Sequence, residues 1–147
     1  MLENPPAGMP RITPYIYYSD MVKAIAWLTK AFGFRKKLIL PIPGGKAMHA
    51  EMEIKNGVIM LGPNDMDNNN LSPGVLKGRS QSLYVYIDDI YGHFKNAKAA
   101  GAKIIAEPSD MIWGDMTYSA FDLEDHLWTF AEHVRDVAPE DLIRFRK

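Results

Sequence analysis

Apolar and polar residues alternate along two stretches of the chain, near residues 12–17 and 82–87. A period of two predicts β-strands with one face towards a core. Tyr15 and Tyr17 share the more polar face of the first strand, and Tyr84 and Tyr86 share that of the second. Both predicted strands therefore present a pair of tyrosines on the face opposite their aliphatic side chains.

A helix signal follows each of these strands. Asp20, and either Asp88 or Asp89, stand where an N-cap residue accepts hydrogen bonds from the first free N–H groups of a helix. Apolar residues then recur at helical spacing, at positions 21, 25, 28 and 32 and at positions 90, 94, 97 and 101. Gly33 and Gly101 are typical of a left-handed helix C-terminus.

These two segments belong to an internal repeat with an offset of 69 residues. Residues 14–21 align with 83–90, and residues 49–60 align with 118–129 without a gap. Each copy reads strand, helix, strand, strand, strand, with the second strands near 36–40 and 103–107. We therefore expect a first module over 11–63, a polar linker over 64–79, a second module over 80–134, and a tail over 135–147.

The dipeptide Asn56-Gly57 predicts a two-residue hairpin turn between the last two strands of the first module. That turn would place Ile54 opposite Ile59, with one face of the hairpin against the helix. His49, Glu51, Glu53, Val58 and Met60 would then lie on the other face. In the second module, the gapless repeat predicts Phe121, Trp128 and Phe130 on the helix side. It places on the opposite side Tyr118, Ala120, Asp122, Leu127, Thr129 and Ala131.

Composition excludes several classes of protein. The chain carries 17 Lys and Arg against 18 Asp and Glu, with no basic cluster of the kind that binds nucleic acid. No apolar run approaches the roughly 20 residues that span a bilayer, and the first residues do not resemble a signal peptide. Cysteine is absent, which excludes disulfides, thiolate nucleophiles and Cys-based metal sites. We expect a cytoplasmic protein that binds neither nucleic acid nor membrane.

A doubled βαβββ module whose Asp-capped helix ends in Phe-Gly-Phe resembles the vicinal-oxygen-chelate superfamily. This group includes glyoxalase I, extradiol dioxygenases, bleomycin- and fosfomycin-resistance proteins and PhnB-like members. The resemblance covers residues 11–134 and includes Ser19-Asp20, the hairpin turn and the stretch 113–126. That stretch departs from the usual family ending, with Leu123 in place of Pro and Asp125 in place of Gly. Asp125 must then adopt a positive φ, which Asp tolerates better than most residues.

The resemblance implies an α+β fold: tandem βαβββ modules forming curved mixed β-sheets, with helices outside and a central cleft. Because members of the superfamily often pair modules between chains, it also implies a homodimer. In metal-dependent members, the first and fourth strands of each module supply one His, Glu or Gln ligand each. The corresponding positions here are Thr13, Met60, Ser82 and Thr129. None is an imidazole or a carboxylate, so we expect no resident metal and no other cofactor.

The polar sheet faces are the predicted ligand site, because apolar walls with a few placed polar groups suit a small-molecule cavity. Tyrosine rings suit flat or cationic ligands, and Trp113 could form a wall or a lid. His49, Glu51 and Glu53 project from one strand face and could act as acid and base or hold a relocated metal. The predicted ligand-binding residues are Tyr15, Tyr17, His49, Glu51, Met60, Ser82, Tyr84, Tyr86, Trp113 and Thr129.

The sequence thus predicts a metal-independent small-molecule-binding protein of the glyoxalase/bleomycin-resistance type, which holds an organic ligand or antibiotic in a cleft. The alternative is a lyase, isomerase or dioxygenase of the same superfamily that uses a relocated metal or acid–base residues. Other motifs carry less chemistry. The turn at Pro43-Gly44-Gly45 lacks the strand and helix of a phosphate-binding loop, and the tail predicts a short helix that begins near Pro139.

Overall fold

The computed structural model of the chain describes residues 1–41 and 47–143. In chain order, the elements are β1 (Tyr15–Tyr18), α1 (Met21–Phe32), β2 (Arg35–Pro41), β3 (Ala47–Ile54), β4 (Gly57–Pro63), α2 (Pro73–Leu76), β5 (Leu83–Tyr86), α3 (Ile90–Ala99), β6 (Lys103–Asp110), β7 (Asp115–Phe121), β8 (Leu127–His133) and α4 (Pro139–Ile143). They form two four-stranded mixed sheets, with strand orders β1-β4-β3-β2 and β5-β8-β7-β6. The predicted α+β class with two βαβββ units is confirmed.

The helices begin and end where the sequence signals predict. The Asp20 carboxylate accepts a hydrogen bond from the backbone N–H of Lys23 at 3.0 Å, and Asp89 accepts one from Gly92 at 3.0 Å, so Asp89 rather than Asp88 caps α3. Helix α1 ends at Gly33, whose φ of 78° lies in the left-handed region. Local capping therefore fixes both strand-to-helix junctions.

A single hydrophobic core joins the two modules. Helices α1 and α3 contact each other, and each packs on one face of its own sheet. Phe32 and Phe34 from the first module pack against Trp128 of the second, with ring centroids 5.5 Å from the Trp128 ring in both cases. The opposite face of each sheet carries a tyrosine pair and is turned away from the helices, so each such face is partly open in the single chain.

The register of the first hairpin differs from the prediction. Ile54 pairs with Gly57 and Met52 pairs with Ile59, so the turn consists of Lys55 and Asn56, with Lys55 at a φ of 51°. The pairing is displaced by two residues from the predicted register. Because the period of a strand is two, the predicted faces survive this displacement.

In the second hairpin, the predicted face of β7 is wrong. Tyr118 and Ala120 pair with Phe130 and Trp128, and all four are buried on the helix side, whereas Phe121 lies on the opposite side. Asp122 is also buried on the core side. The cause is the turn. It holds three residues, 123–125, where the first hairpin holds two, so β7 follows the repeat at an offset of 68 and every side chain changes face.

The longer turn depends on Asp125, for which the sequence predicts a positive φ. Asp125 has a φ of 68°, which confirms the predicted positive φ. A three-residue hairpin loop typically places its last residue in this left-handed region. The backbone N–H of Asp122 donates to the carbonyl oxygen of His126 at 3.0 Å and closes the loop.

This β7–β8 turn is held against the first module by Asp122, a buried carboxylate. One of its oxygens accepts hydrogen bonds from the Tyr18 hydroxyl at 2.7 Å and from Trp128 Nε1 at 3.0 Å. The other accepts from the backbone N–H groups of Glu124 and His126, at 2.9 and 3.1 Å. Tyr18 belongs to β1, so this carboxylate joins the two modules.

Two neighbours of Asp122 extend the same contact. The Glu124 carboxylate accepts hydrogen bonds from the backbone N–H groups of Ser19 and Asp20, at 2.6 and 3.1 Å, and His126 Nε2 donates to the carbonyl oxygen of Tyr17 at 2.8 Å. We call the side chains of Asp122, Glu124 and His126 the module clamp. At the related junction, the exposed side chains of Lys55 and Asp88 form an ion pair at 3.2 Å, and in the first turn of α3 His93 Nε2 donates to the carbonyl oxygen of Phe32 at 2.8 Å.

Three further segments refine the predictions. The linker contains the short helix α2, which begins at Pro73, and strand β6 continues past Pro108 to Asp110, with irregular pairing between Ala106 and Ser109. Helix α4 begins at Pro139 as predicted. The turn at 43–45 and the last residues, 144–147, lie outside the described residues. Within the described part of the chain, no helix is both long enough and apolar enough to cross a membrane.

Candidate functional site

The open face of the first sheet carries Tyr15, Tyr17, His49, Glu51 and Met60, which we call the first tyrosine face. The rings of Tyr15 and Tyr17 lie 5.4 Å apart. The Tyr15 hydroxyl and His49 Nδ1 are 3.0 Å apart, and His49 Nε2 lies 3.5 Å from the Glu51 carboxylate. Met60 sits opposite both Tyr15 and Glu51 in the sheet, so aromatic, apolar and titratable groups adjoin one another.

The open face of the second sheet is built around a carboxylate. We call Tyr84, Tyr86, Trp113, Asp115 and Thr129 the second tyrosine face. Both tyrosine hydroxyls donate to the same oxygen of Asp115, at 2.6 Å from Tyr84 and 3.1 Å from Tyr86. Trp113 Nε1 donates to the Tyr84 hydroxyl oxygen at 3.2 Å. The three aromatic side chains are exposed, whereas Asp115 beneath them is only 2% exposed.

His133 completes this cluster from the neighbouring strand. Its Nδ1 lies 2.8 Å from the second oxygen of Asp115, and its Nε2 lies 2.7 Å from Asp136. The hydrogen bond to Asp136, and then the one to Asp115, raise the pKa of His133 above its ordinary value. Burial alone would raise the pKa of Asp115, but hydrogen bonds from Tyr84, His133 and Tyr86 outweigh it and leave that pKa below its ordinary value.

The same hydrogen bonds act in the opposite direction on the tyrosines. Burial, followed by the hydrogen bond to Asp115, raises the pKa of Tyr84 to about 12, and the same two causes raise the pKa of Tyr86. At neutral pH, Asp115 is therefore ionised, and both hydroxyls keep their protons and donate them to it. The cluster has one defined arrangement of donors and acceptors.

Gly114 holds Trp113 and Asp115 in place. Its φ of 102° is accessible to glycine, and a Cβ at this position would overlap the carbonyl oxygen of Arg135. The carbonyl oxygen of Gly114 accepts hydrogen bonds from the backbone N–H groups of Val134 and Arg135, at 2.9 and 3.2 Å. The turn thus packs closely on the end of β8 and positions both Trp113 Nε1 and the Asp115 carboxylate for their hydrogen bonds with the Tyr84 hydroxyl.

Nine of the ten predicted ligand-binding residues fall into two groups. The structure brings Tyr15, Tyr17, His49, Glu51 and Met60 together on the first tyrosine face, and Tyr84, Tyr86, Trp113 and Thr129 on the second. Ser82 is exposed just before β5. Which of these residues touch a ligand stays a prediction.

Asp115 and His133 belong to this hydrogen-bonded cluster, and the sequence analysis did not single them out. They pair directly across β7 and β8, as an Asp and a His in two adjacent strands. The gapless repeat assigned β7 residues to the wrong face, and this concealed the pair. An alignment with one extra residue in the second turn would have placed Asp115 beside Tyr84 and Tyr86.

The donors at the superfamily's metal positions do not fit a divalent ion. Met60 offers a thioether, and the Thr129 hydroxyl is already hydrogen-bonded to Ser119 at 2.8 Å. Thr13 and Ser82 supply neutral hydroxyls. In residues 1–41 and 47–143, no three or more His, Cys, Asp or Glu side chains are grouped where they could hold a metal ion.

Comparisons with known proteins agree with this architecture. A family model described as the Glyoxalase/Bleomycin resistance protein/Dioxygenase superfamily matches residues 8–130. The solved structure of TioX from Micromonospora sp. ML1 is 31% identical, with a TM-score of 0.69, and the match covers 84% of this chain and 98% of that one. An uncharacterised protein of Mycobacterium bovis (strain ATCC BAA-935 / AF2122/97) is 27% identical, over 90% of each chain.

The same fold also occurs in TnmS3, an antibiotic binding protein from Streptomyces sp. CB03234, at 16% identity and a TM-score of 0.62. That match covers 81% of this chain and 91% of TnmS3. With its doubled βαβββ fold and a family model that matches most of its length, the chain belongs to the Glyoxalase/Bleomycin resistance protein/Dioxygenase superfamily.

Proposed function

We propose that this protein binds a flat aromatic organic molecule between tyrosine-lined sheet faces, without a resident metal ion. The observation that carries the proposal is the pair of tyrosines on the open face of each sheet, beside metal positions that hold Thr, Met and Ser. Three of these four tyrosines, Tyr15, Tyr84 and Tyr86, are exposed and have a hydroxyl held by a hydrogen bond. Rigid rings with few rotatable bonds give a large contact area at a small entropic cost. TnmS3, named as an antibiotic binding protein, is an example of binding on this fold.

We further propose that a homodimer closes the site. In the single chain, both tyrosine faces are partly open, and Trp113 is 44% exposed. A second copy that set its second tyrosine face against the first one would cover these rings and complete a cleft. Exposed aliphatic side chains on the outer strands, among them Leu38, Leu40 and Ile105, would be covered by the same association.

Thermal unfolding in the presence of a panel of flat aromatic antibiotics and dyes tests the proposal. A binder at 100 times its dissociation constant adds about 2.7 kcal/mol to the free energy of unfolding. For a chain of this length, that corresponds to a rise of about 5–10 °C in Tm. Substituting Tyr84→Ala should weaken binding about tenfold and halve the added stability, because it removes a ring and a hydrogen-bonded anchor.

Tyr91→Ala is the matched control, since Tyr91 is an exposed tyrosine on α3, outside both tyrosine faces. It should leave the ligand-induced rise in Tm unchanged. If Tyr84→Ala and Tyr91→Ala behave alike with every stabilising compound, the tyrosine faces do not bind these ligands and the proposal fails.

An acid–base enzyme is the second candidate, and one contact favours it. His49 lies between the Tyr15 hydroxyl and the Glu51 carboxylate, so a proton could be held at either nitrogen of the His49 ring. Substituting Glu51→Gln keeps the shape and removes the charge. For a binding protein we expect weaker binding, by about three- to tenfold, with the fold intact and no product formed; an enzyme would instead lose turnover of its compound.

Product analysis by mass spectrometry after overnight incubation with each stabilising compound distinguishes the two candidates. Unchanged compounds throughout support binding alone. A compound converted by the wild type but left intact by Glu51→Gln would establish the enzyme and overturn the binding-only function.

A further inference from the structure

The hydroxyls of the second tyrosine face are fixed in direction. An ionised carboxylate only accepts hydrogen bonds, so Tyr84 and Tyr86 each donate their single hydroxyl hydrogen to Asp115. The Tyr84 oxygen in turn accepts the indole hydrogen of Trp113. What the three aromatic residues offer a ligand is therefore ring faces and oxygen lone pairs. A ligand carboxylate, phosphate or carbonyl group would find no free hydrogen on them.

The net charge beneath these rings is negative. Asp115 and Asp136 flank His133, so the three side chains carry a net negative charge whether or not His133 is protonated. The neighbouring Arg135 forms an ion pair with Asp110. Lys55, which lines the groove beside Tyr84 and Tyr86, is paired with Asp88. Neither cation neutralises Asp115.

We propose that the second tyrosine face selects an aromatic cation, a flat ring system with a protonated or quaternary nitrogen. This inference rests on the proposed function and names the class of ligand. Aromatic faces attract cations through their quadrupoles, and the attraction is stronger where water is excluded, as the proposed homodimer would exclude it from these rings. Buried Asp115 supplies a charge that its partners already satisfy, so the site is organised before the ligand arrives.

The two faces thus differ in chemistry. On the first tyrosine face, the ring nitrogens of His49 face the Tyr15 hydroxyl and the Glu51 carboxylate, so Tyr15 is hydrogen-bonded to an imidazole and not directly to a carboxylate. On the second tyrosine face, both hydroxyls donate to the negatively charged Asp115, so the face presents negative charge to a ligand. A ligand that spans both would place its positive nitrogen over Tyr84, Tyr86 and Trp113.

Matched probes test this assignment on the full chain. N-methylquinolinium is a flat cation, quinoline is its neutral counterpart at pH 8, and 1-naphthoate is a flat anion of similar size. Each is titrated while the indole N–H resonances are followed by two-dimensional NMR, with a Trp113→Phe variant to assign the Trp113 signal. We expect the cation to shift the Trp113 resonance with an affinity at least tenfold above that of quinoline, and the anion to bind weakest.

Substituting Asp115→Asn should lower the affinity for N-methylquinolinium about tenfold and leave quinoline unchanged. Asp67→Asn, an equal charge change on the exposed linker, should alter neither. If Asp115→Asn does not fold, the order of affinities of the wild-type protein for the three probes still tests the cation assignment. Equal binding of cation and quinoline, or tighter binding of naphthoate, overturns the cation assignment while the aromatic-binding function stands. Failure of all three probes to bind overturns both.

Discussion

Substituting Asp122→Ala is expected to lower the free energy of unfolding by about 3–5 kcal/mol. Asp122 is 4% exposed and accepts four hydrogen bonds, two of them from the buried Tyr18 hydroxyl and Trp128 Nε1. Hydrogen bonds to a charged group contribute about 1.5–3 kcal/mol each, and the loss of Asp122 would leave both donors buried without a partner. The loss is a large fraction of the roughly 5–15 kcal/mol that stabilises an ordinary domain.

Urea unfolding followed by circular dichroism measures this effect. With a denaturant slope of about 2 kcal/mol/M, the midpoint should fall by about 2 M at an unchanged slope. Tyr18→Phe removes one of the four donors and should cost about 1–2 kcal/mol. Asp67→Ala, on the exposed linker, should stay within about 0.5 kcal/mol of the wild type. A loss of less than about 1 kcal/mol for Asp122→Ala would show that the module clamp contributes little to stability.

Substituting Trp128→Ala should have an effect of similar size for a different reason. Trp128 is fully buried between Phe32 and Phe34 of the first module, so its removal leaves a cavity at the contact between modules. Replacement of a buried aromatic residue by alanine costs about 3–5 kcal/mol, because the surrounding side chains relax only in part. The same change also removes the Nε1 donor to Asp122.

Trp128→Phe separates packing from hydrogen bonding. It keeps a ring in the core and loses the donor, so we expect a cost of about 1–2 kcal/mol. The double variant Trp128→Ala/Asp122→Ala should lose less free energy of unfolding than the sum of the losses in the two single variants, since the two residues share a hydrogen bond. Strict additivity in urea unfolding would contradict the geometry of the clamp.

Local signals in the sequence were sufficient for most of the fold. Asp20 and the Asp88-Asp89 pair, of which Asp89 is the cap, together with the period-two strands, correctly placed β1, α1, β5 and α3. They are reliable because each acts through its nearest neighbours in the chain. The register of the first hairpin was wrong by two residues, which left its faces intact.

The second half of the site was less accessible to sequence reasoning. One extra residue in the β7–β8 turn reversed the assignment of Tyr118 and concealed Asp115. A single sequence contains no mark of that insertion, because Asp125 can adopt a positive φ without glycine. The contacts of Asp122 with Tyr18 and of Trp128 with Phe32 join residues far apart in the chain, so they follow from the packing of the modules rather than from any local pattern.

In each module, a strand-to-helix junction contacts the hairpin turn of the other module, and the two contacts differ in strength. The module clamp holds the end of β1 and the start of α1 through charge-assisted hydrogen bonds, of which the one from Tyr18 to Asp122 is buried. The related pair at the start of α3, Lys55–Asp88, is exposed and belongs to a class worth about 0–1 kcal/mol. The two hairpin turns of the repeat therefore hold the opposite module with different strength. A fluctuation that frees the β3–β4 turn from the start of α3 would widen the groove beside Lys55 at Tyr84 and Tyr86, while the hydrogen bonds of His93 to Phe32 and of Asp122 to Tyr18 keep the two modules together.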